Sequence, residues 1–325
     1  MKSLLLTGAT GFVGRNIVLR EVARGTEIFA PVRSPEKLRA QLAAEGLAPD
    51  CVTPLPTDPA RWGNINPTHA IHAAGVLFAR DRATYFETNR DWTLRVLHAL
   101  PPGCRTVVLS SQSAGGPTPH GLTARREADA DTPITWYGES KLAMEREIAC
   151  AFTERAPIIL RPPTIIGPRD VAILPLLKMA RGPVRIKPGI QEKWFSFLGI
   201  SDVLDAIEVA AEITAPGPFY IACRTPFSDR ELILAAAHAA DRSGVTIPVP
   251  LCIMRGLAAL VDAIPSLRDE APSLTRDRVR EIWPDLWVVD STRFSELTGW
   301  RAKMTLDDAM RETWTYAAKN HFSRT

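Results

Sequence analysis

The sequence predicts a doubly wound α/β fold: a parallel sheet covered by helices, with a smaller C-terminal substrate-binding domain. Three observations carry this expectation. Strand-like and helix-like patterns alternate through the first half of the 325 residues. A glycine-rich turn, Gly8-Ala9-Thr10-Gly11-Phe12-Val13-Gly14, follows the apolar run Leu4-Leu5-Leu6. Far downstream, Tyr137-Gly138-Glu139-Ser140-Lys141 follows a strand-like segment ending in Ser110-Ser111.

In order, residues 4–7 read as the first strand and 12–24 as a helix closed by Gly25. Residues 27–32 read as the second strand. A helix then opens at Ser34-Pro35, where Ser34 suits the N-cap and Pro35 the first helical position. Residues 69–74 form a short apolar strand. Residues 85–100 are helical, with Trp92, Val96 and Leu100 on one face. Residues 105–111 are a β-rich strand, 137–154 a helix and 157–161 a buried strand. Right-handed crossovers bring the carboxyl ends of such strands to one edge, where ligands bind.

After Pro162-Pro163 the rhythm changes, and proline and glycine become frequent over 166–189. A helix at 203–213 and a strand at 219–222 return to the sheet. The remainder is expected to form a small lid. These patterns assign 1–165, with 196–222 returning to it, to a dinucleotide-binding domain. Residues 166–195 and 223–325 form the substrate-binding domain.

Composition narrows the function. A hydrophobic content of 46% supports a large core. The net charge of +3, without a basic cluster interleaved with aromatics, argues against nucleic-acid binding. Cys51, Cys104, Cys150, Cys223 and Cys252 are scattered, with no CxxC pair. They read as reduced thiols of a cytoplasmic protein, and no metal site is expected. The N-terminal apolar stretch is too short for a signal peptide, and no run reaches the length of a membrane-spanning helix. Residues 249–267 are apolar but contain Arg255 and Asp262 and are broken by Pro250 and Pro265. They read as a core-facing helix rather than one lying on a membrane.

The glycine turn meets a physical need, the close approach of backbone to a pyrophosphate. Gly8 permits the tight turn, Gly11 leaves room for phosphates and Gly14 lets helix pack on strand. Thr10, Phe12 and Val13 lie within the same cradle, and the helix N-terminus offers N–H groups to the anion. At the end of the second strand, Phe29-Ala30-Pro31-Val32-Arg33 contains no acid for a ribose 2′-hydroxyl. Arg33 and Lys37, beside the Ser34-Pro35 helix start, suit a 2′-phosphate. NADP(H) is therefore the favoured cofactor, with NAD(H) the alternative.

Tyr137 and Lys141 are spaced i, i+4 and share a helix face. A free phenol has a pKa of about 10, too high for ready proton exchange near neutrality. A neighbouring ammonium and a positive nicotinamide ring both favour the phenolate. Lys141 would also hold the nicotinamide ribose. Ser111, at the end of a neighbouring strand, could hydrogen-bond the substrate oxygen, with Ser113 two positions on as the alternative.

Together these residues resemble the extended short-chain dehydrogenase/reductase family, also called the NAD-dependent epimerase/dehydratase family. Thr7–Gly14 is similar to its cofactor turn, and the resemblance implies its Rossmann fold. His72-Ala73-Ala74-Gly75 resembles the motif beside the adenine and ribose, which implies that Ala73, Ala74 and Gly75 border the cofactor. Asn89 matches an asparagine that holds the active-site scaffold, and Ser111, Tyr137 and Lys141 match the catalytic triad. Arg161-Pro162-Pro163 through Gly167-Pro168 is similar to the segment bordering the nicotinamide, which implies a role for Pro163. Residues 197–203 and Leu297-Thr298-Gly299-Trp300 match two further family elements.

Three departures bear on the reaction. Leu55-Pro56-Thr57-Asp58 replaces the family's Gly-Asp-Leu, Gly115-Gly116 replaces a Tyr-Gly, and Lys193-Trp194-Phe195 replaces an Arg-Asp-Phe. Gln112-Ser113 stands where dehydratases carry Asp-Glu. The resemblance then points to an NADP-dependent oxidoreductase interconverting a ketone and a secondary alcohol, closest to dihydroflavonol reductases and 3β-hydroxysteroid dehydrogenases. It implies an apolar or polycyclic small-molecule substrate; Trp194, Phe195, Phe197 and residues 251–260 are consistent with such a pocket, and equally with ordinary core. The alternatives are a nucleotide-sugar epimerase with tightly held NAD and a non-catalytic NADP-binding sensor or assembly factor. A homodimer through the helix carrying Tyr137 is a further family-based expectation.

Overall fold

The computed structural model describes residues 3–153, 156–215, 217–253, 256, 259, 277, 280–282 and 284–322. Six strands come first: Ser3–Thr7 (β1), Glu27–Pro31 (β2), Thr53–Leu55 (β3), His69–His72 (β4), Arg105–Leu109 (β5) and Ile158–Arg161 (β6). With Pro218–Tyr220 they form one parallel seven-stranded sheet, ordered β3-β2-β1-β4-β5-β6 and then Pro218–Tyr220. The order reverses between β1 and β4, which opens a crevice at their carboxyl ends.

The apolar run of β1 follows from burial on both faces of the sheet. Leu4 and Leu6 pack with Ile17, Val18 and Ile71 in one layer. Leu5 packs with Val96, Met144 and Ile148 in the other. All three leucines are fully buried, and each such side chain contributes about 1.5–3 kcal/mol. The flanking helices are Phe12–Ala23 (α1), Pro35–Ala44 (α2), Arg82–Phe86 (α3), Trp92–His98 (α4), Gln112–Gly115 (α5) and Trp136–Ala151 (α6). Ser34 caps α2, accepting the Lys37 N–H at 3.1 Å, and Pro35 opens the helix as the sequence suggests.

Helices Leu174–Ala180, Asp229–Ala239 and Leu306–Ala317 surround a second core around Ile166, Phe197 and Phe227. The carboxylate of Asp202 ties this body to the sheet side, accepting the N–H groups of Lys303 and Met304 at 3.0 and 2.9 Å. No helix among the described residues is long and apolar enough to cross a membrane.

Four local expectations need correction. The helix expected over 85–100 is interrupted by a π-helical turn at Glu87–Asp91, between α3 and α4. The extra residue turns the Asn89 side chain inward, where it is fully buried and hydrogen-bonded. The strand expected to reach Ser111 stops at Leu109, because the Ser111 hydroxyl accepts the Ser113 N–H and starts α5. Phe197 belongs to the second core and does not line the cavity reached by Tyr137 and Lys141. The core-facing helix expected over 249–267 starts two residues late, after a strand at Val245–Val249; Leu251, Cys252 and Ile253 are helical, but Cys252 and Ile253 are exposed rather than core-facing. Most of that stretch lies outside the described residues.

Candidate active site

The glycine turn is tight because backbone meets backbone. Gly8 has a positive φ of 76°, and a Cβ there would lie 2.8 Å from the Ala73 carbonyl carbon. A Cβ on Gly14 would lie 2.0 Å from the Gly8 oxygen, so only glycine lets α1 seat on the turn. Gly11 N–H closes the turn onto the Gly8 oxygen at 2.8 Å. Gly11 is also the N-cap of α1, and it supplies no side-chain cap. The first turn of α1 holds no acid. Its N–H groups and positive dipole end therefore remain available to an anion. The cradle fits a dinucleotide pyrophosphate.

Gly11, Phe12, Val13 and Gly14 line one side of a cavity of about 490 Å³. Ala73 and Gly75 beyond β4, Leu109 to Ser113 beyond β5, and Pro162 to Ile165 beyond β6 line its floor. Tyr137 and Lys141 of α6 reach the same space. Thr135 caps α6 by accepting the Gly138 N–H at 3.2 Å. A Cβ on Gly138 would lie 2.3 Å from the Ser113 oxygen, so this glycine lets α6 dock on α5. That contact brings Tyr137 toward the Ser111 turn.

Ser111, Lys141 and Asn89 are each held by named partners. The Ser111 oxygen accepts the Ser113 N–H at 3.1 Å, which leaves its own proton to donate into the cavity. The Lys141 ammonium donates to the Leu109 carbonyl at 2.9 Å and is almost wholly buried. Burial pushes it down to about 8, against the upward pull of Glu145 one turn further along α6. Glu145 pairs with buried Arg161, whose Nη2 lies 2.5 Å from one carboxylate oxygen, and it also accepts the Ser110 hydroxyl. Arg161 donates in addition to Asp131 and to the Tyr220 hydroxyl, so this buried charge is balanced.

Asn89 stands at the centre of a polar chain. Its Oδ1 accepts the Val76 N–H at 2.8 Å, and its Nδ2 donates to the Val76 carbonyl at 3.1 Å and to Ser140 Oγ at 3.0 Å. Ser140 donates in turn to the Tyr137 carbonyl at 2.7 Å. On the other side, Thr93 donates to the Asn89 carbonyl at 2.8 Å, so its oxygen accepts from His72 Nε2 at 2.9 Å. His72 Nδ1 then accepts from Thr7 at 3.1 Å. Burial pushes this imidazole down to about 3, with the Lys141 charge adding to the effect, and it stays neutral.

The cavity gathers Gly11, Phe12, Val13, Gly14, Ala73, Gly75, Ser111, Tyr137, Lys141 and Pro163 from the sequence expectations. Gly8 shapes the turn from behind, and Ala74 N–H is held by Thr7 at 3.2 Å. Thr10 does not line the cavity, and its carbonyl accepts from Gln41. Arg33 and Lys37 lie exposed at the start of α2, beyond β2. Asp58 caps a short helical turn, accepting the Ala60 N–H at 3.2 Å. Trp194 is exposed and lies outside the cavity, whereas Phe195 lines it.

Sequence reasoning missed Leu77, Asp170, Glu281 and Trp287, which also line the cavity. They come from loops and short elements with no periodic signal. Glu281 accepts hydroxyls from Ser113 at 3.3 Å and Thr135 at 3.2 Å, which places a carboxylate beside the serine turn. Gln112, read from sequence only as a missing acid, is buried, and its Oε1 has no hydrogen-bond partner.

Comparison with known proteins agrees with this geometry. The model of the NAD dependent epimerase/dehydratase family matches residues 4–222. A ceramide reductase from Caulobacter vibrioides is 28% identical over 335 residues, covering 96% of this chain and 94% of the relative. A putative dihydroflavonol 4-reductase from Synechocystis sp. is 26% identical over 322 residues, covering 90% and 88%. A solved UDP-glucose 4-epimerase with UDP-glucose, from Thermotoga maritima, shares the fold with a TM-score of 0.76 at 19% identity. That match covers 98% of this chain and 99% of the other. The chain belongs to the NAD dependent epimerase/dehydratase family and is an NAD(P)-dependent oxidoreductase of that family.

Proposed function

We propose that this protein is an NADP-dependent reductase or dehydrogenase that interconverts a ketone and a secondary alcohol on an apolar small molecule. The observation that carries the reading is the convergence of Ser111, Tyr137 and Lys141 with the glycine cradle on one cavity. The dinucleotide, when bound, supplies or accepts the hydride. The Ser111 hydroxyl donates to the substrate oxygen and orients it. Tyr137 gives its phenolic proton to that oxygen in reduction and takes it back in oxidation. Lys141 holds the ribose and favours the phenolate electrostatically.

The apolar substrate class is supported by Leu77, Ala172, Phe195 and Trp287 on the cavity wall. Both curated relatives described above are named reductases. Gln112 replaces the acid that dehydration requires. Its carboxamide can accept a hydrogen bond from substrate or nicotinamide without adding charge.

The NADP preference rests on Arg33 and Lys37, exposed beside the α2 N-terminus. Glu36 sits in the same turn and accepts the Ser34 hydroxyl at 3.0 Å. That acid is the observation favouring the second reading, an NAD-holding epimerase with the fold of the Thermotoga enzyme. The presence of both Tyr137 and Lys141 weighs against a sensor without chemistry.

A ketone panel run with NADPH and NADH tests the proposal. NADPH consumption with an apolar ketone, lost in Tyr137→Phe while NADPH binding persists, is the expected result. Tighter binding of NADH than NADPH overturns the cofactor preference. Undiminished turnover in Tyr137→Phe overturns the mechanism.

A further inference from the structure

Strands Val184–Pro188 and Val245–Val249 form a separate two-stranded parallel ribbon, and its amphipathicity is inverted. In the first strand the charged residues point inward. Arg185 is 1% exposed and donates to the Arg242 carbonyl at 3.0 Å. Lys187 is 5% exposed and pairs with Asp229 at 2.9 Å. The aliphatic residues between them point outward: Val184 and Ile186 are each 50% exposed. Their register partners Val245 and Ile247 are 63% and 49% exposed. A one-residue slip would reverse every side chain, but the Lys187–Asp229 pair holds this register. Four β-branched side chains thus form a contiguous apolar face, of a kind that marks an interaction surface.

We propose that this face docks on an anionic lipid bilayer. Two features select that occupant. Exposed Lys178, Arg181 and Arg242 rim the start of the ribbon, with Asp241 beside Arg242 and Glu192 beyond its far end. A basic rim around an apolar centre complements anionic headgroups over acyl chains. Strand addition by a partner is disfavoured, because Pro248 lies within one strand, and Pro183 precedes and Pro188 ends the other.

The chain continues from this ribbon into Leu251-Cys252-Ile253, where Ile253 is 51% exposed. A short stretch of chain also joins the ribbon to the wall of the active-site cavity. Ala172 lines the cavity, exposed Val171 precedes it, and the Leu174–Ala180 helix leads directly to Val184. That helix is seven residues long, about 10 Å. Docking would place the cavity where an apolar substrate partitions. This consequence rests on the substrate class proposed above, whereas the docking itself does not.

Co-sedimentation with sucrose-loaded vesicles of phosphatidylcholine, alone or with about 30% phosphatidylglycerol, tests the proposal without any substrate. Wild type is expected to pellet with the anionic vesicles and less with the neutral ones. Val184→Ser, Ile186→Ser and Ile247→Ser combined should weaken binding about tenfold or more. Lys178→Glu with Arg181→Glu should abolish the preference for anionic vesicles, and this pair decides the matter alone if the triple variant does not fold. Wild type remaining in the supernatant with both vesicle types overturns the proposal. So does equal binding by both variants and wild type, or a wild-type dimer that the triple variant dissociates. Failure of every ketone in the turnover panel overturns the proposed ketone–alcohol reaction and leaves the vesicle result standing.

Discussion

Asn89 and Val76 exchange two hydrogen bonds, amide oxygen to N–H at 2.8 Å and amide nitrogen to carbonyl at 3.1 Å. A side chain thereby satisfies the backbone of the loop that leaves β4, and the same nitrogen reaches Ser140 on the helix of Tyr137 and Lys141. Asn89→Leu removes these bonds and leaves the half-buried Val76 peptide without its side-chain partner. Destabilisation of about 2–4 kcal/mol is expected in urea unfolding, with turnover reduced about a hundredfold. A variant with wild-type stability and turnover would show that the loop finds other partners.

Gly14→Ala forces a Cβ to within 2.0 Å of the Gly8 oxygen. Backbone on both sides must shift, and the phosphate cradle shifts with it. NADPH affinity measured by fluorescence titration should fall about a hundredfold. An unchanged affinity would place the pyrophosphate elsewhere.

Lys141 titrates in an accessible range, because burial lowers its pKa from 10.5 to about 8. Between these values the unfolded chain keeps a proton that the folded protein has lost. This residue therefore adds stability as pH rises from 8 to 10.5. Dinucleotide binding has the opposite dependence, since the ammonium is lost above about 8. A plot of log Kd for NADPH against pH should turn upward near pH 8 and lose that break in Lys141→Met.

His72 is depressed from 6.5 to about 3, so the unfolded chain takes up its proton first as pH falls. The contribution of neutral His72 is complete above 6.5 and declines from there toward pH 3. At pH 5 the loss is about 2 kcal/mol relative to neutrality. Urea unfolding at the two pH values measures it, and His72→Asn should show a flatter dependence between them.

Much of the fold was legible because its signals are local. The glycine turn, the Ser34-Pro35 helix start and the i, i+4 spacing of Tyr137 and Lys141 each reflect constraints within a few residues. The π turn at Asn89 was not legible, since its cause is the Val76 peptide, thirteen positions away. Glu281 and Trp287 were missed for the same reason. They meet Ser113 and Tyr137 around one cavity only after more than a hundred intervening residues have folded.

The sequence by itself determined the parallel α/β sheet, the dinucleotide turn and the pairing of a phenol with an ammonium. Periodicity, glycine sterics and helix spacing are properties of short segments. Tertiary structure alone decided which side chains share the cavity, which charges are balanced and which faces meet solvent. Alternation along 184–188 names the two faces of a strand, but only the buried pair of Lys187 with Asp229 turns the charges inward and the aliphatics out. Burial and electrostatics depend on neighbours that are distant in the chain, and those neighbours exist only once it has folded.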